Sequence, residues 1–164
     1  MCNMFYNAQC FNQPIGSWDV SNVKRMHGMF YNAISFNKPL CYWKTTNVTR
    51  MHYMFQHTLK FNKPLNSRNV LNVKRMDGMF YNAISFNQPL CYWKTTNVTR
   101  MLYMFQHTLK FNKPLNSWNV LNVKRIANIF NFTEKFNQPD TIKHFEQTNE
   151  KFKKQNNEKY LYKT

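Results

Sequence analysis

The chain contains an internal duplication of fifty residues. Residues 76–125 repeat residues 26–75 with four changes, namely His27 to Asp77, Lys38 to Gln88, His52 to Leu102 and Arg68 to Trp118. Each fifty consists of two diverged halves of 25, so phenylalanine recurs in two columns, one at Phe5, Phe30, Phe55, Phe80, Phe105 and Phe130 and one at Phe11, Phe36, Phe61, Phe86, Phe111 and Phe136. A fixed period of this length indicates a repeat protein, in which no single unit buries its own apolar face. The fold must therefore be a stack in which each unit covers its neighbour.

One unit, residues 36–61, contains two apolar patterns. Leu40, Trp43 and Thr45 alternate with outward positions, which is typical of a short strand that faces a core. Further along, residues recur at spacings of three and four, the period of an α-helix: Val48, Met51, Met54, Phe55, Thr58 and Phe61. Pro64 closes that helix, because proline disfavours helical backbone in the residue before it. These patterns predict an α/β solenoid of 25-residue strand-turn-helix units, with a parallel sheet on one side and helices on the other.

An asparagine column accompanies the predicted turns after the strands. It consists of Asn22, Asn47, Asn72, Asn97 and Asn122. Asparagine side chains bond turn backbone that would otherwise be buried without a partner. We therefore expect this column to stabilise the turns.

The repeat period divides the chain into two parts. Residues 1–139 hold about five and a half units, and the period ends where Asp140 occupies the leucine column. Beyond it, apolar residues keep helical spacing behind a predicted N-cap at Asp140 and Thr141. We expect residues 140–164 to form a helix that covers the last open core face, followed by a basic, partly disordered tail.

The sequence FNQPIGSWDVSNVKRMHGMFYNA, residues 11–33, closely resembles the 25-residue BspA-like repeat, a relative of leucine-rich repeats. That repeat has the pattern F-N-x-x-[LI]-x-x-W-D-V-S-N-V-x-x-M-x-x-M-F-x-x-A, and the resemblance covers residues 1 to about 139. Such repeats occur in surface proteins of bacteria and in some protists and large DNA viruses. The resemblance implies that the solenoid is leucine-rich-repeat-like, and it implies adhesion or protein binding rather than catalysis.

The formal charge of the chain is +16, and most of it lies in the repeats. Residues 1–139 contain 17 Lys and Arg against three acidic residues, which leaves +14. The most regular set of basic residues is a column of arginines with lysines beside alternate members: Arg25, Arg50, Arg75, Arg100 and Arg125, with Lys24, Lys74 and Lys124. Stacked about 4.8 Å apart, these cations repel one another unless an anion lies along them. The column is a candidate site for nucleic acid or another acidic polymer, and the alternative is a set of solvated turn residues spread by duplication.

The outward strand positions form a second candidate surface. In two repeats they include Tyr42, Lys44 and Thr46, and Tyr92, Lys94 and Thr96. The resemblance to leucine-rich repeats implies that this predicted sheet face binds proteins, although interleaved tyrosine and lysine also suit nucleic acid. Trp18, Trp43, Trp93 and Trp118 occupy an inward column and are predicted to be core. Arg68 interrupts that column, which predicts a weak point in the stack.

Catalysis, cofactors and metals find no support in the sequence. No pair of cysteines has zinc-finger spacing, His52 and His57 are five residues apart, and only three glycines are present. Carboxylates for acid–base chemistry are few. We therefore expect no enzyme, no cofactor and no small-molecule substrate.

Localisation depends on two indications that disagree. Cys41 and Cys91 are two repeats apart, so their Cα atoms are expected about 10 Å apart, too far for a disulfide. Reduced thiols favour an intracellular protein, whereas the family resemblance implies a surface protein. No signal peptide, lipid anchor or membrane span is recognised.

The sequence thus predicts a non-enzymatic repeat scaffold that mediates macromolecular interaction, most directly with a protein. Binding of a polyanion or nucleic acid along the arginine column is the first alternative. A repeat fragment or paralogue without a dedicated partner is the second.

Overall fold

The computed structural model describes residues 1–65 and 69–154. It contains one named helix, α1, at Pro139–Thr148, and helical backbone again at residues 150–154. No strand is present in the described ranges, where the β-type pairs are isolated parallel bridges between consecutive arginines of the column. The rest consists of turns and bends.

Backbone hydrogen bonds join each 25-residue unit, here called a coil, to the next one. The N–H of Phe30 donates to Met54 O at 2.9 Å, and the N–H of Phe55 donates to Met79 O at the same distance. Both bonds run from residue i to residue i+24, and equivalent bonds recur from coil to coil. Consecutive coils therefore lie side by side in register, as the sequence period predicts.

The predicted helices within the repeats are wrong. In residues 51–58, the N–H groups of Met54, Gln56 and Thr58 donate to the carbonyls three residues earlier, as in successive turns. The intervening N–H groups, such as that of Phe55, donate to the next coil instead. Tyr53 and His57 have left-handed φ angles of 59° and 57°, which an α-helix excludes. Runs of turns place apolar residues three apart, so their spacing imitated a helical period.

The predicted parallel sheet is also wrong. Trp43 and Val48 donate their N–H groups to Leu40 O and Thr45 O, which forms turns where a sheet would need partners on neighbouring strands. The side-chain alternation predicted for this segment is nevertheless present, because Leu40, Trp43 and Thr45 are buried while the residues between them are exposed. The leucine-rich-repeat solenoid of strands and helices is thus replaced by a stack of turn-built coils.

Two stacked phenylalanine columns run through the core, together with buried methionine, leucine, valine and tryptophan side chains. Phe30 and Phe55 stack with ring centroids 5.5 Å apart, and Phe36 and Phe61 stack at 5.8 Å in the second column. Within a coil, the two columns meet where Phe55 stacks on Phe61 at 4.2 Å. Aromatic stacking adds about 0.5–1.5 kcal/mol per pair to the energy of burial. Because every coil repeats these contacts, the core is continuous along the stack.

Tryptophan burial follows the prediction at three of four positions. Trp43, Trp93 and Trp118 are buried, and each indole N–H donates to a backbone carbonyl of an earlier coil. Trp18 departs from the prediction, because its side chain is 39% exposed. Arg68, where the sequence predicts a weak point, lies outside the described residues.

Two asparagine columns bond the coils to each other. In the column identified from sequence, Asn47 Nδ2 donates to Ser21 O at 2.8 Å, so the amide bonds turn backbone of the preceding coil. A second column follows the phenylalanines. There Asn62 Oδ1 accepts the N–H of Asn87 at 2.9 Å, and the same contact joins Asn12, Asn37, Asn62, Asn87, Asn112 and Asn137 in sequence. Side-chain amides therefore satisfy backbone groups that the absent sheet leaves unpaired.

Helix α1 lies against the last coil. Phe145 is buried beside Phe130, at a centroid distance of 6.1 Å. Asn149 Nδ2 donates to Val120 O and Val123 O, and Thr141 Oγ1 accepts the N–H of Leu115. The helix begins at Pro139 with Gln138 as the N-cap residue, so the N-cap lies two residues before Asp140, the first residue of the predicted cap. The tail from residue 155 onward lies outside the described residues.

Candidate macromolecule-binding surfaces

The outward face comprises Tyr42, Lys44, Thr46, Tyr92, Lys94 and Thr96, all of which are exposed. Tyr42 is 76% exposed and Tyr92 is 77% exposed, although each stands next to a buried tryptophan. The same alternation of buried and exposed residues holds in both coils. The structure therefore presents this predicted set to solvent on turns rather than on a sheet.

Leucines extend the apolar part of the outward face. Leu71 and Leu121 occupy the position of Thr46 and Thr96 in the intervening coils, and Leu121 is 68% exposed. Their N–H groups bond to the side chains of Asn69 and Asn119, which fixes the local turn. The outward face thus combines large exposed apolar groups with lysines on a backbone held by local hydrogen bonds.

The arginine column is aligned as the sequence predicts. Each arginine pairs with the next in an isolated parallel bridge, from Arg25 to Arg125. Lys24, Lys74 and Lys124 are exposed beside it, and the backbone of this segment is tied between coils by the bonds of Thr49 N–H to Lys24 O and Lys74 N–H to Thr49 O. The positive groups therefore follow one line along the stack.

Asp77 forms ion pairs with two arginines of this column. Its carboxylate is 1% exposed and lies 3.1 Å from Arg75 Nη2 and 3.1 Å from Arg100 Nε. A carboxylate buried to this degree requires such partners, because an unpaired buried charge is strongly destabilising. Two of the five arginines therefore already have an anion, and the column is not a uniform cationic track. The sequence signal for this was the replacement of His27 by Asp77 in the second copy.

Histidines occupy the position of Asp77 in the two preceding coils. His27 and His52 stack with centroids 4.6 Å apart and planes 7° apart, and both Nδ1 atoms are buried without a hydrogen-bond partner among the described residues. Burial lowers the pKa of His52 to about 4, and the nearby Arg75 adds to this shift. Burial also lowers the pKa of His27, as do the neighbouring arginines. Both imidazoles are therefore neutral near pH 7 and add nothing to the cationic column.

Residues 1–65 and 69–154 contain no group of three or more His, Cys, Asp or Glu side chains that could hold a metal ion. The four cysteines are exposed. In the part of the chain that the structure covers, no helix has the length and apolar character needed to cross a bilayer.

Comparisons with known proteins gave a match to one protein family. A search of curated proteins and a search of solved structures found no match to the chain. The family described as "Mycoplasma protein of unknown function, DUF285" matches residues 1–83 and 64–161, which together span nearly the whole sequence. The chain belongs to this family.

Proposed function

We propose that this protein is a non-enzymatic repeat scaffold that binds another protein through the outward face. The observation that carries the proposal is the pair of tyrosines, Tyr42 and Tyr92, which are more than three-quarters exposed on turns anchored by buried tryptophans. Exposed aromatic side chains on a rigid support are typical of interface anchors, since they lose little conformational entropy on binding. The match to the DUF285 family is compatible with the BspA-like resemblance of the repeats, which favours adhesion or protein binding.

Repetition supports the same proposal. The outward face displays tyrosine in one coil and leucine in the next, so a partner meets several similar contacts along one direction. Lys44 and Lys94 lie between the apolar groups and favour a partner with acidic residues at matching positions. Such a surface suits an extended or repetitive protein better than a small ligand, because small-molecule sites are concave and enclose their ligand, whereas these side chains are exposed to solvent.

The test compares matched variants that the repeat itself suggests. Tyr42 and Tyr92 are replaced by serine, the residue present at position 117 of the column, and the proteins that wild type and variant capture are compared by crosslinking and mass spectrometry. Binding through the outward face predicts partners that wild type captures and the Y42S/Y92S variant loses. A control variant with Arg25 and Arg50 changed to glutamine should retain them. Identical capture by wild type and Y42S/Y92S would refute the assignment.

Polyanion binding along the arginine column is the second candidate. It is favoured by the exposure of Arg25, Arg50 and Arg125 together with three flanking lysines. The ion pairs with Asp77 weaken it, because Arg75 and Arg100 are already neutralised in part. Retention on heparin across a salt gradient separates the candidates, since binding to a polyanion weakens steeply with salt.

A further inference from the structure

A third surface lies on the run of turns in each coil, and neither candidate function uses it. It is formed by Tyr31, Tyr53, His57, Tyr81, Tyr103 and His107, here called the aromatic strip. These rings follow one another across successive coils: Tyr31 meets His57 at 5.8 Å, His57 meets Tyr81 at 5.5 Å, and Tyr81 meets His107 at 5.8 Å. All three contacts are edge-to-face. These four rings therefore form a continuous line along the stack, and Tyr53 and Tyr103 lie four residues before His57 and His107 on the same runs of turns.

The aromatic strip is free of charge in an otherwise strongly basic chain. Residues 28–34, 53–59, 78–84 and 103–109 contain no Lys, Arg, Asp or Glu, although the whole chain carries +16. Burial lowers the pKa of His57, so this imidazole is neutral at physiological pH. The strip offers no Lys, Arg, Asp or Glu side chain that could form an ion pair with a ligand, so its chemistry matches a neutral ligand.

Backbone conformation shows that the rings occupy positions where smaller residues would fit with less strain. Tyr53, His57, Tyr103 and His107 have left-handed φ angles of 57–59°. Glycine or asparagine adopts this conformation more readily, and the intervening coils have Gly78 and Asn82 at the equivalent positions. The rings therefore occur in alternate coils at a conformational cost that the stack itself does not require.

Gly78 makes room for one of these rings. A Cβ atom at Gly78 would lie 2.7 Å from Tyr53 Cδ1 and 2.8 Å from Tyr53 Cε1. The tyrosine thus lies across the glycine of the next coil, and it remains 39% exposed, as does Tyr103. The result is a pair of identical, partly exposed phenol rings held two coils apart.

Amide groups border the rings. Asn82 Nδ2 lies 2.8 Å from His57 Nδ1, and Gln56 and Gln106 are half-buried beside the strip. Amides and phenols both donate and accept hydrogen bonds, and aromatic rings pack against C–H surfaces. This combination recognises the hydroxyl groups and apolar faces of sugars.

We propose that the aromatic strip binds an uncharged β-1,4-linked polysaccharide of the cellulose or chitin type. Successive sugars of such a chain are turned over relative to each other, so the same face recurs at every second sugar. Tyr53 and Tyr103 are likewise two coils apart, a separation of about 10 Å if each coil adds about 4.8 Å. The separation of the two tyrosine rings and the length of two sugars of such a chain are of the same order. A polysaccharide that lies along the stack can therefore place equivalent sugars on both rings.

The test uses the full chain and two insoluble probes, cellulose and chitin, with competition by the corresponding soluble oligosaccharides to distinguish glucose from N-acetylglucosamine chains. The wild type is expected to be retained on one of them, with no weakening at high salt. Replacement of both tyrosines by glycine, Y53G/Y103G, should weaken retention by at least about tenfold, since two ring contacts are lost. The Y53F/Y103F variant keeps the rings and should retain most of the binding.

Glycine is chosen because Gly28 and Gly78 occupy the positions equivalent to Tyr53 and Tyr103 in the other coils. The Y53G/Y103G variant should therefore fold and melt at or above the wild-type temperature. A Y42S/Y92S variant, altered on the outward face, should bind the glycan as well as the wild type. Three results would overturn the proposal: no retention of wild type on either probe, equal retention of the Y53G/Y103G variant, or retention that disappears with salt, which would indicate the arginine column instead.

Discussion

Replacement of Arg68 by tryptophan is expected to stabilise the protein. In the second copy of the fifty residues, the equivalent Trp118 is buried, stacks on Trp93 with centroids 6.0 Å apart and donates its indole N–H to Leu90 O at 3.0 Å. Position 68 lies in the column between Trp43 of the first copy and Trp93 of the second, and both tryptophans line one apolar cavity of about 10 Å³. A tryptophan at position 68 would complete the column.

The magnitude follows from burial rather than from filling the cavity. At about 24 cal/mol per Å³, a cavity of about 10 Å³ contributes only about 0.2 kcal/mol. A buried tryptophan removes about 200 Å² from water, which at about 25 cal/mol per Å² sets an upper bound near 5 kcal/mol. Side-chain entropy and residual burial in the unfolded chain reduce this. We expect a gain of about 2 kcal/mol, which raises Tm by roughly 4–8 °C in a chain of this size.

Thermal unfolding followed by circular dichroism measures this effect, and the reciprocal variant supplies the control. Replacing Trp118 by arginine removes a fully buried indole and should cost about 3–5 kcal/mol. An unchanged or lower Tm for the R68W variant would refute the reasoning, because it would mean that the first copy is already well packed around arginine. A small effect of the W118R variant would refute it independently.

Three further predictions concern the asparagine column, the histidine pair and the arginine column. Replacing Asn62 by alanine leaves a backbone N–H of the next coil without its acceptor and should cost about 1–3 kcal/mol, measured by denaturant unfolding. Folding lowers the pKa of His52 from 6.5 to about 4, so the unfolded chain binds the proton more readily and stability should fall as pH decreases through that range. The H52L variant should lose part of this pH dependence in parallel melting curves, since leucine occupies the equivalent position in the second copy. If the arginine column holds a polyanion, changing Arg25 and Arg50, which do not pair with Asp77, to glutamine should reduce heparin retention more than changing Arg75 and Arg100, which do; equal losses would show that the ion pairs do not matter.

The register of the stack was predictable from the sequence because it depends only on the period. The 25-residue repeat brings each phenylalanine onto its equivalent in the next coil, and the alternation around Trp43 correctly separates buried from exposed residues. Both conclusions follow from which side chains avoid water. Neither depends on the hydrogen bonds of the local backbone.

The local backbone was mispredicted because apolar spacing does not distinguish a helix from consecutive turns. The available signal was the pair of positions four residues apart that hold Gly28 and Asn32 in one coil and Gly78 and Asn82 in another. Both residue types favour left-handed φ, and two such positions within one helical turn argue against a helix. The sequence alone could not show that Asp77 pairs with two arginines. That pairing depends on the fold, which brings Arg75, two residues before Asp77, and Arg100, 23 residues after it, to the same carboxylate.

The direction of the hydrogen bonds between coils depends on position: the N–H of Phe55 donates to the next coil, whereas the N–H groups of Thr49 and Lys60 donate to the preceding coil. The stack therefore has a direction, and a coil fits only in one orientation and only as a complete unit. Genetic recombination between the two nearly identical segments of fifty residues would remove or add whole units, and each new junction would reproduce one that already exists. Length in this architecture can thus change in discrete steps while every contact between neighbours is preserved.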